Sequence, residues 1–187
     1  MIVEPFRLLI VCTANQCRSP MGEAIARSLL YERSIASEVA SAGTEALDGM
    51  EATDGAKITA RKLGLDLSEH RSRAVSGDLV AMADLVVAME PRHVVDLVNE
   101  FDAALARTYT LPELADLVRR SPRHADESFS AWLGRISEGR DHAAVLSATE
   151  IADPIGRSMR RYRQAAQQIA GGLETLIDYG MSSAGQG

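Results

Sequence analysis

The stretch that decides the fold is "FRLLIVCTANQCRSP", residues 6–20. Its first seven residues are almost wholly apolar, which is typical of a parallel strand buried on both faces. Ser19 and Pro20 predict a helix start, with Ser19 as the N-cap and Pro20 at the first helical position, where its missing N–H costs nothing. The stretch therefore predicts a strand, a tight turn enclosed by Cys12 and Arg18, and a helix.

Strand and helix signals alternate along the rest of the chain. Further strands are predicted at 38–43, 83–89 and 107–110, and further helices at 54–64, 91–101 and 159–176. This alternation predicts an α/β three-layer sandwich with a central, mostly parallel four-stranded sheet and helices on both faces. Sites in such sheets form beyond the carboxyl ends of the strands, which is where the turn after Cys12 lies.

The length of 187 residues favours a single domain, which we place at residues 1–179. Residues 111–150 carry no strand signal and are predicted as a helical insertion, and residues 180–187 as a disordered tail. Within the insertion, apolar residues recur at helical spacing at Phe129, Trp132, Leu133 and Ile136. We expect Trp132 to lie in the core.

Composition excludes several classes of function. A net charge of −6 argues against a nucleic-acid partner, and no segment has membrane-spanning length or the features of a signal peptide. Two cysteines five positions apart make no disulfide framework, so we expect a cytoplasmic protein. The four histidines show no ligand spacing and no nucleotide-binding glycine motif is present, so no metal and no cofactor are expected. His93, near a helix start, is expected at the surface.

The turn between Cys12 and Arg18 has the chemistry of an oxyanion site. Backbone N–H groups of residues 13–18 and the positive end of the following helix can surround one phosphate, and the planar guanidinium of Arg18 matches two of its oxygens. The predicted phosphate-binding residues are Thr13, Ala14, Asn15, Gln16, Cys17 and Arg18. The same positive surroundings favour the thiolate form of Cys12, which makes it a nucleophile, and Ser19 can donate a hydrogen bond to its sulfur.

With these residues the chain resembles the low-molecular-weight protein tyrosine phosphatase family. The resemblance is carried by "CTANQCRSP" (12–20) and Asp153-Pro154, with support from "SAGT" (41–44), "LSEHRSR" (67–73) and "ADLVVAME" (83–90). It extends over about residues 6–178, apart from the segment 111–150.

The resemblance implies a metal-free, two-step hydrolysis of a phosphomonoester. In it, Cys12 attacks phosphorus, Arg18 holds the phosphate, and Asp153 acts first as general acid and then as general base. The supporting residues that it implies are Ser19, Ser41, His70 and Pro154, with Asn15 bracing the loop through hydrogen bonds that reach Ser41 and His70. It also implies that an oxidant can close a Cys12–Cys17 disulfide, and a cysteine that only packs the loop is the alternative.

Departures from the family pattern bear on the substrate. Ala14 stands where the family often has glycine, and Leu47, Ile155 and Gly156 stand where tyrosine-specific relatives place aromatic residues. Phosphomonoester hydrolysis is therefore indicated more firmly than phosphotyrosine selectivity. The expected partner is a phosphotyrosine protein or another phosphomonoester, and the enzyme is expected to be a monomer. Two alternatives stay open: an arsenate reductase that uses an external small thiol, and a non-catalytic phosphate-binding module.

Overall fold

The central element of the computed structural model is a four-stranded sheet; the structure describes residues 4–138, 140 and 149–181. The strands are β1 (Phe6–Cys12), β2 (Ser37–Gly43), β3 (Leu85–Ala88) and β4 (Thr108–Thr110). They are ordered β2-β1-β3-β4, and every neighbouring pair is parallel. This arrangement confirms the predicted fold class.

Seven α-helices in the described residues connect or follow the strands. They are α1 (Arg18–Glu32), α2 (Asp54–Lys62), α3 (Gly77–Met82), α4 (Pro91–Glu100), α5 (Leu111–Arg120), α6 (Phe129–Glu138) and α7 (Met159–Leu176). A 3₁₀ segment, Asp102–Arg107, precedes β4, and a π-helical turn, Ile177–Met181, extends α7. The predicted helical segment 111–150 thus contains α5 and α6, and its residues 139 and 141–148 lie outside the described residues.

Two apolar layers cover the two faces of the sheet. Alternate residues of β1 point to opposite faces. Leu8 and Ile10 belong to the apolar layer that includes residues of α1, α2, α5, α6 and α7, whereas Leu9 and Val11 belong to the layer that includes residues of α3 and α4. Trp132 is fully buried in the larger layer, as expected. Burial on both faces explains why β1 and β3, the two central strands, are almost continuously apolar in sequence.

The start of α1 differs from the one predicted. Helix α1 begins at Arg18 with Cys17 as its N-cap, so Ser19 does not cap it and Pro20 occupies the third helical position. Proline is tolerated there because N–H groups in the first turn have no helical partner. At the end of the described chain Gly180 is buried, and a Cβ on it would lie 2.6 Å from the Trp132 ring; of the predicted tail at 180–187, residues 182–187 lie outside the described residues.

Among the described residues, no helix combines the length and the apolar character needed to cross a membrane.

Candidate active site

The loop from Cys12 to Arg18 joins β1 to α1 between the ends of the two central strands. β2 lies on one side of β1 and β3 on the other, so the connections that follow β1 and β2 run in opposite directions across the sheet. A parallel sheet forms its ligand-binding crevice at such a point, and the loop lies there. The loop carbonyls of Cys12, Thr13, Asn15 and Gln16 accept hydrogen bonds of 2.7–3.0 Å from outside the loop. None of the N–H groups of residues 13–17 donates to another described group. The carbonyl groups of the loop therefore bind the surrounding residues, and its N–H groups remain available to a ligand.

Asn15 holds the loop in an unusual backbone conformation. Its φ of 52° is in the left-handed region, which asparagine adopts more readily than most residues. Its side-chain amide donates to Ser19 Oγ and Ser41 Oγ, each at 2.9 Å, and its backbone carbonyl oxygen accepts from His70 Nε2 at 2.7 Å. The structure thus brings together the four residues that the resemblance linked, with His70 bound to the backbone of Asn15 rather than to its side chain.

Ser19 lies directly beside the cysteine at the start of the loop. Its Oγ is 3.0 Å from Cys12 Sγ and 3.3 Å from the carbonyl oxygen of Ala42. Asn15 donates to Ser19 Oγ, so the one hydroxyl hydrogen of Ser19 has two acceptors within reach, the sulfur of Cys12 and the more distant carbonyl oxygen of Ala42. This geometry explains why Ser19 faces the loop instead of capping α1.

Arg18 is the buried cation at the centre of the site, with 1% of its surface exposed. Its Nη1 donates to Glu90 and, at 2.9 Å, to the carbonyl of Ile151, and its Nη2 donates at 2.8 Å to Asp153 Oδ2. Its buried Nε has no partner among the described residues. The guanidinium of Arg18 therefore connects the loop to Glu90, which follows β3, and to Asp153, which lies 135 positions further along the chain.

Asp153 reaches Arg18 from a tight turn before α7. Its Oδ1 accepts from the backbone N–H of Ile155 at 3.0 Å, and the carbonyl of buried Pro154 accepts from Arg157 at 2.9 Å. Gly156 has a φ of 71°, which a type II turn requires at its third residue. Glycine at 156, where tyrosine-specific relatives have an aromatic residue, is thus explained by the turn that positions Asp153.

Sequence reasoning missed the contribution of Glu90, which follows β3. Its side chain pairs with Arg18 and, at 2.8 Å, with Arg92. Burial alone would raise the pKa of this carboxyl, but the hydrogen bonds and charges of Arg18 and Arg92 outweigh it and hold the pKa below its usual value. The sequence does contain a signal for Glu90, because it follows a predicted central strand. The carboxyl end of that strand lies at the same edge of the parallel sheet as Cys12.

His93 contradicts the expectation of a surface residue, since it is fully buried. Its Nδ1 accepts from the backbone N–H of Glu90 at 3.2 Å, so its Nε2 carries the hydrogen and donates to Thr13 Oγ1 at 3.0 Å. Burial, aided by the charges of Arg18 and Arg92, lowers its pKa to about 4. The ring is therefore neutral at neutral pH and ties the start of α4 to the loop.

Cys17 and Gly43 complete the packing around the loop. Burial, with the nearby charges of Cys12 and Asp153, raises the pKa of Cys17, so it stays a thiol. At Gly43 a Cβ would lie 2.4 Å from the carbonyl oxygen of Thr13, which only glycine avoids. Both cysteines are free, and a Cys12–Cys17 disulfide stays a prediction.

Two positions at which the sequence departs from the family pattern carry exposed aliphatic side chains. Leu47 is 73% exposed and Ile155 44% exposed. Within the described ranges, no three side chains of the metal-ligating types lie close enough together to hold an ion.

The fold and site define a class of enzymes with a phosphate loop between a cysteine and an arginine. The sequence model of the family described as low molecular weight phosphotyrosine protein phosphatase matches residues 7–130. A protein-arginine-phosphatase from Geobacillus stearothermophilus is 33% identical over 175 residues, which are 93% of this chain and 93% of the relative. The probable low molecular weight protein-tyrosine-phosphatase EpsP from Ralstonia nicotianae is 33% identical over 135 residues, 72% of this chain and 90% of the relative.

A solved structure agrees with these sequence matches. A mutant of the YwlE arginine phosphatase with a phosphorylated active-site serine has a TM-score of 0.73 and 25% identity, covering 92% of this chain and 94% of that one. The chain belongs to the low molecular weight phosphotyrosine protein phosphatase family, and it is a cysteine-dependent, metal-independent phosphatase.

Proposed function

We propose that this chain removes phosphate from protein side chains through a phosphocysteine intermediate on Cys12. The observation that carries the proposal is the position of Arg18, whose guanidinium joins the loop to Asp153. A nucleophile, an oxyanion clamp and a proton donor thereby share one small crevice.

The first step transfers the phosphoryl group to the enzyme. The thiolate of Cys12 attacks phosphorus in line with the leaving group, and Asp153 gives its proton to the departing atom as the bond to phosphorus breaks. The available N–H groups of residues 13–17 and the unpaired Nε of Arg18 donate to the phosphate oxygens. Ser19 stabilises the sulfur both as the attacking thiolate and later as the leaving group.

The second step hydrolyses the phosphocysteine. Asp153, now ionised, takes a proton from water as the water oxygen attacks phosphorus and the P–S bond breaks. Inorganic phosphate leaves and the thiolate of Cys12 returns. Asn15, with Ser41 and His70, keeps the loop in its left-handed geometry through both steps.

Phosphotyrosine is the first substrate that we propose, because the family is defined by it. Phosphoarginine is the second, because the protein-arginine-phosphatase of Geobacillus stearothermophilus matches almost the full length of this chain. Leu47 and Ile155 have exposed aliphatic side chains and offer no aromatic ring to stack on the phenyl ring of phosphotyrosine. These two positions therefore give phosphotyrosine no advantage over phosphoarginine.

The test measures hydrolysis of p-nitrophenyl phosphate with a chelator present, for the parent and for Cys12→Ser. We expect chelator-resistant turnover that Cys12→Ser abolishes. Two peptides of one sequence, one with phosphotyrosine and one with phosphoarginine, then rank the substrates by kcat/KM. Phosphate binding without turnover by the folded parent would favour a binding module, and arsenate reduction with an external thiol without phosphatase activity would favour the reductase.

We also propose the setting in which the enzyme works. A single phosphatase domain over residues 1–179 acts as a monomer in the cytoplasm, where its two free cysteines remain reduced. Its partners are phosphoproteins and not nucleic acid, consistent with a net charge of −6.

A further inference from the structure

A cavity of about 340 Å³ opens directly beside Asp153. It lies between the segment that carries Asp153 and the start of α7. Its polar lining consists of Glu150, Asp153, Arg157, Arg161, Gln164 and Gln168. The cavity therefore adjoins the proposed acid and is separate from the loop that would hold the phosphate.

The α7 part of this lining is one continuous polar face. Arg161, Gln164 and Gln168 follow one another by three and four positions, which places them on one side of a helix. The opposite side of α7 packs in the core, where Ile169 and Leu173 are fully buried. The polar face of α7 is therefore directed away from the core and towards the cavity.

Arginine is concentrated here without the acidic partners that it has elsewhere. Among the described residues, Arg157, Arg160 and Arg163 have no side-chain hydrogen bond or salt bridge, and Arg161 bonds only to Gln164, at 2.9 Å. All four are exposed. Two of them, Arg157 and Arg161, line the cavity, in a chain whose net charge is −6.

The carboxylates in the lining do not neutralise these arginines. Asp153 is bound to Arg18 and to the backbone of Ile155, so its charge is already paired. Glu150 lines the cavity, is exposed, and makes no salt bridge with a described residue. The arginines are left with donors that suit an anionic side chain from another molecule.

We propose that this cavity binds an acidic side chain of the protein substrate, close in sequence to the phosphorylated residue. The proposal rests on the proposed phosphatase function and adds to it a preference for acidic sequences. The guanidinium groups of Arg157 and Arg161 match a carboxylate in planar, bidentate geometry, and the amides of Gln164 and Gln168 add donors. Asp153 both lines the cavity and bonds Arg18 of the loop, so a glutamate near the phosphorylated residue in an extended peptide can enter the cavity while the phosphate lies in the loop.

The experiment compares two phosphopeptides that differ only in flanking charge. One carries glutamate on both sides of the phosphorylated residue and the other carries glutamine, and the ratio of their kcat/KM values is measured for each enzyme preparation. We expect the parent to prefer the acidic peptide by roughly fivefold to tenfold, as two partly exposed charge pairs allow. The ratio of the two kcat/KM values should fall towards one in about 1 M salt, where the electrostatic screening length is only about 3 Å.

Matched variants assign the preference to the cavity. Arg157→Gln/Arg161→Gln should bring the ratio close to one, and Glu150→Gln, which removes a competing charge, should raise it. Arg61→Gln/Lys62→Gln removes the same charge from the exposed end of α2 and should leave the ratio of the parent unchanged. Because each ratio comes from one preparation, a partly unfolded variant does not distort it.

The outcomes separate the two proposals. Turnover of p-nitrophenyl phosphate with no preference between the peptides overturns the acidic-substrate inference and leaves the phosphatase function in place. A preference that survives Arg157→Gln/Arg161→Gln, or that falls equally in Arg61→Gln/Lys62→Gln, also overturns it. Absence of any turnover by the folded parent removes the phosphatase proposal itself.

Discussion

Lowering the pH from 7 to 5 should destabilise the folded chain by about 2 kcal/mol through His93 alone. The ring is fully buried, and its two nitrogens are committed to the backbone N–H of Glu90 and to the hydroxyl of Thr13. A proton on Nδ1 would displace the hydrogen bond from Glu90 and place a charge beside Arg18 and Arg92. The folded protein therefore resists protonation of this ring.

The magnitude follows from the shift in the pKa of His93. The pKa falls from 6.5 to about 4 on folding, because of burial first and the nearby arginine charges second. Between these values the unfolded chain binds a proton that the folded chain does not, so the free energy of unfolding decreases as the pH falls. The contribution of the neutral His93 ring to the free energy of unfolding is complete above pH 6.5 and is lost progressively as the pH falls towards 4. The total loss over this window is about 3 kcal/mol.

Urea unfolding at pH 7 and pH 5 measures this effect in the parent, His93→Gln and His124→Gln. Glutamine keeps a donor for Thr13 but does not titrate, so His93→Gln should lose about 2 kcal/mol less than the parent between the two pH values. His124 is exposed, and His124→Gln should behave as the parent does. An equal loss in the parent and in His93→Gln would refute the reasoning.

Three further substitutions test the contacts around the loop, and a fourth, at Gly134 in α6, is the control for one of them. Thr13→Val removes the acceptor for His93 Nε2 and should cost about 1–3 kcal/mol in urea unfolding at pH 7, because a buried donor is left unpaired; an unchanged stability would contradict that bond. Gly43→Ala should cost at least about 1–3 kcal/mol and lower kcat/KM, since its Cβ would press on the loop backbone. Gly134→Ala, with open space around it, should instead gain up to about 1 kcal/mol. Glu90→Gln should cost about 1.5–3 kcal/mol and lower kcat/KM for p-nitrophenyl phosphate roughly tenfold or more, as the anionic partner of Arg18 is lost; unchanged kinetics would argue against that pairing.

The part of the site that sequence predicts is the part built from neighbouring residues. The apolar run before Cys12 and the Ser19-Pro20 pair indicate a strand, a turn and a helix, because those signals act over a few positions. Asp153 lies 135 positions from Arg18, and only the resemblance to a family selects it from 26 acidic residues. Contacts at such separation have no local signature.

His93 and Ser19 show why local rules also mislead. A histidine in the first turn of a helix is usually exposed, but here the loop 80 positions earlier covers α4 and buries the ring. Serine before proline is a good helix cap, but the loop needs the hydroxyl of Ser19 beside Cys12, and the helix begins at Arg18 instead. In both cases a long-range contact at the site outweighs a local preference.

Trapping the covalent intermediate tests the central claim most directly. Asp153→Asn removes the proposed base for the second step, so rapid acid quenching during turnover of an aryl phosphate, followed by mass spectrometry, should show one added phosphoryl group on the peptide that contains Cys12. Cys12→Ser serves as the control for the position of the label. Turnover by the parent with no phosphoryl group on any peptide at any quench time, or with the group on a residue other than Cys12, would contradict the mechanism.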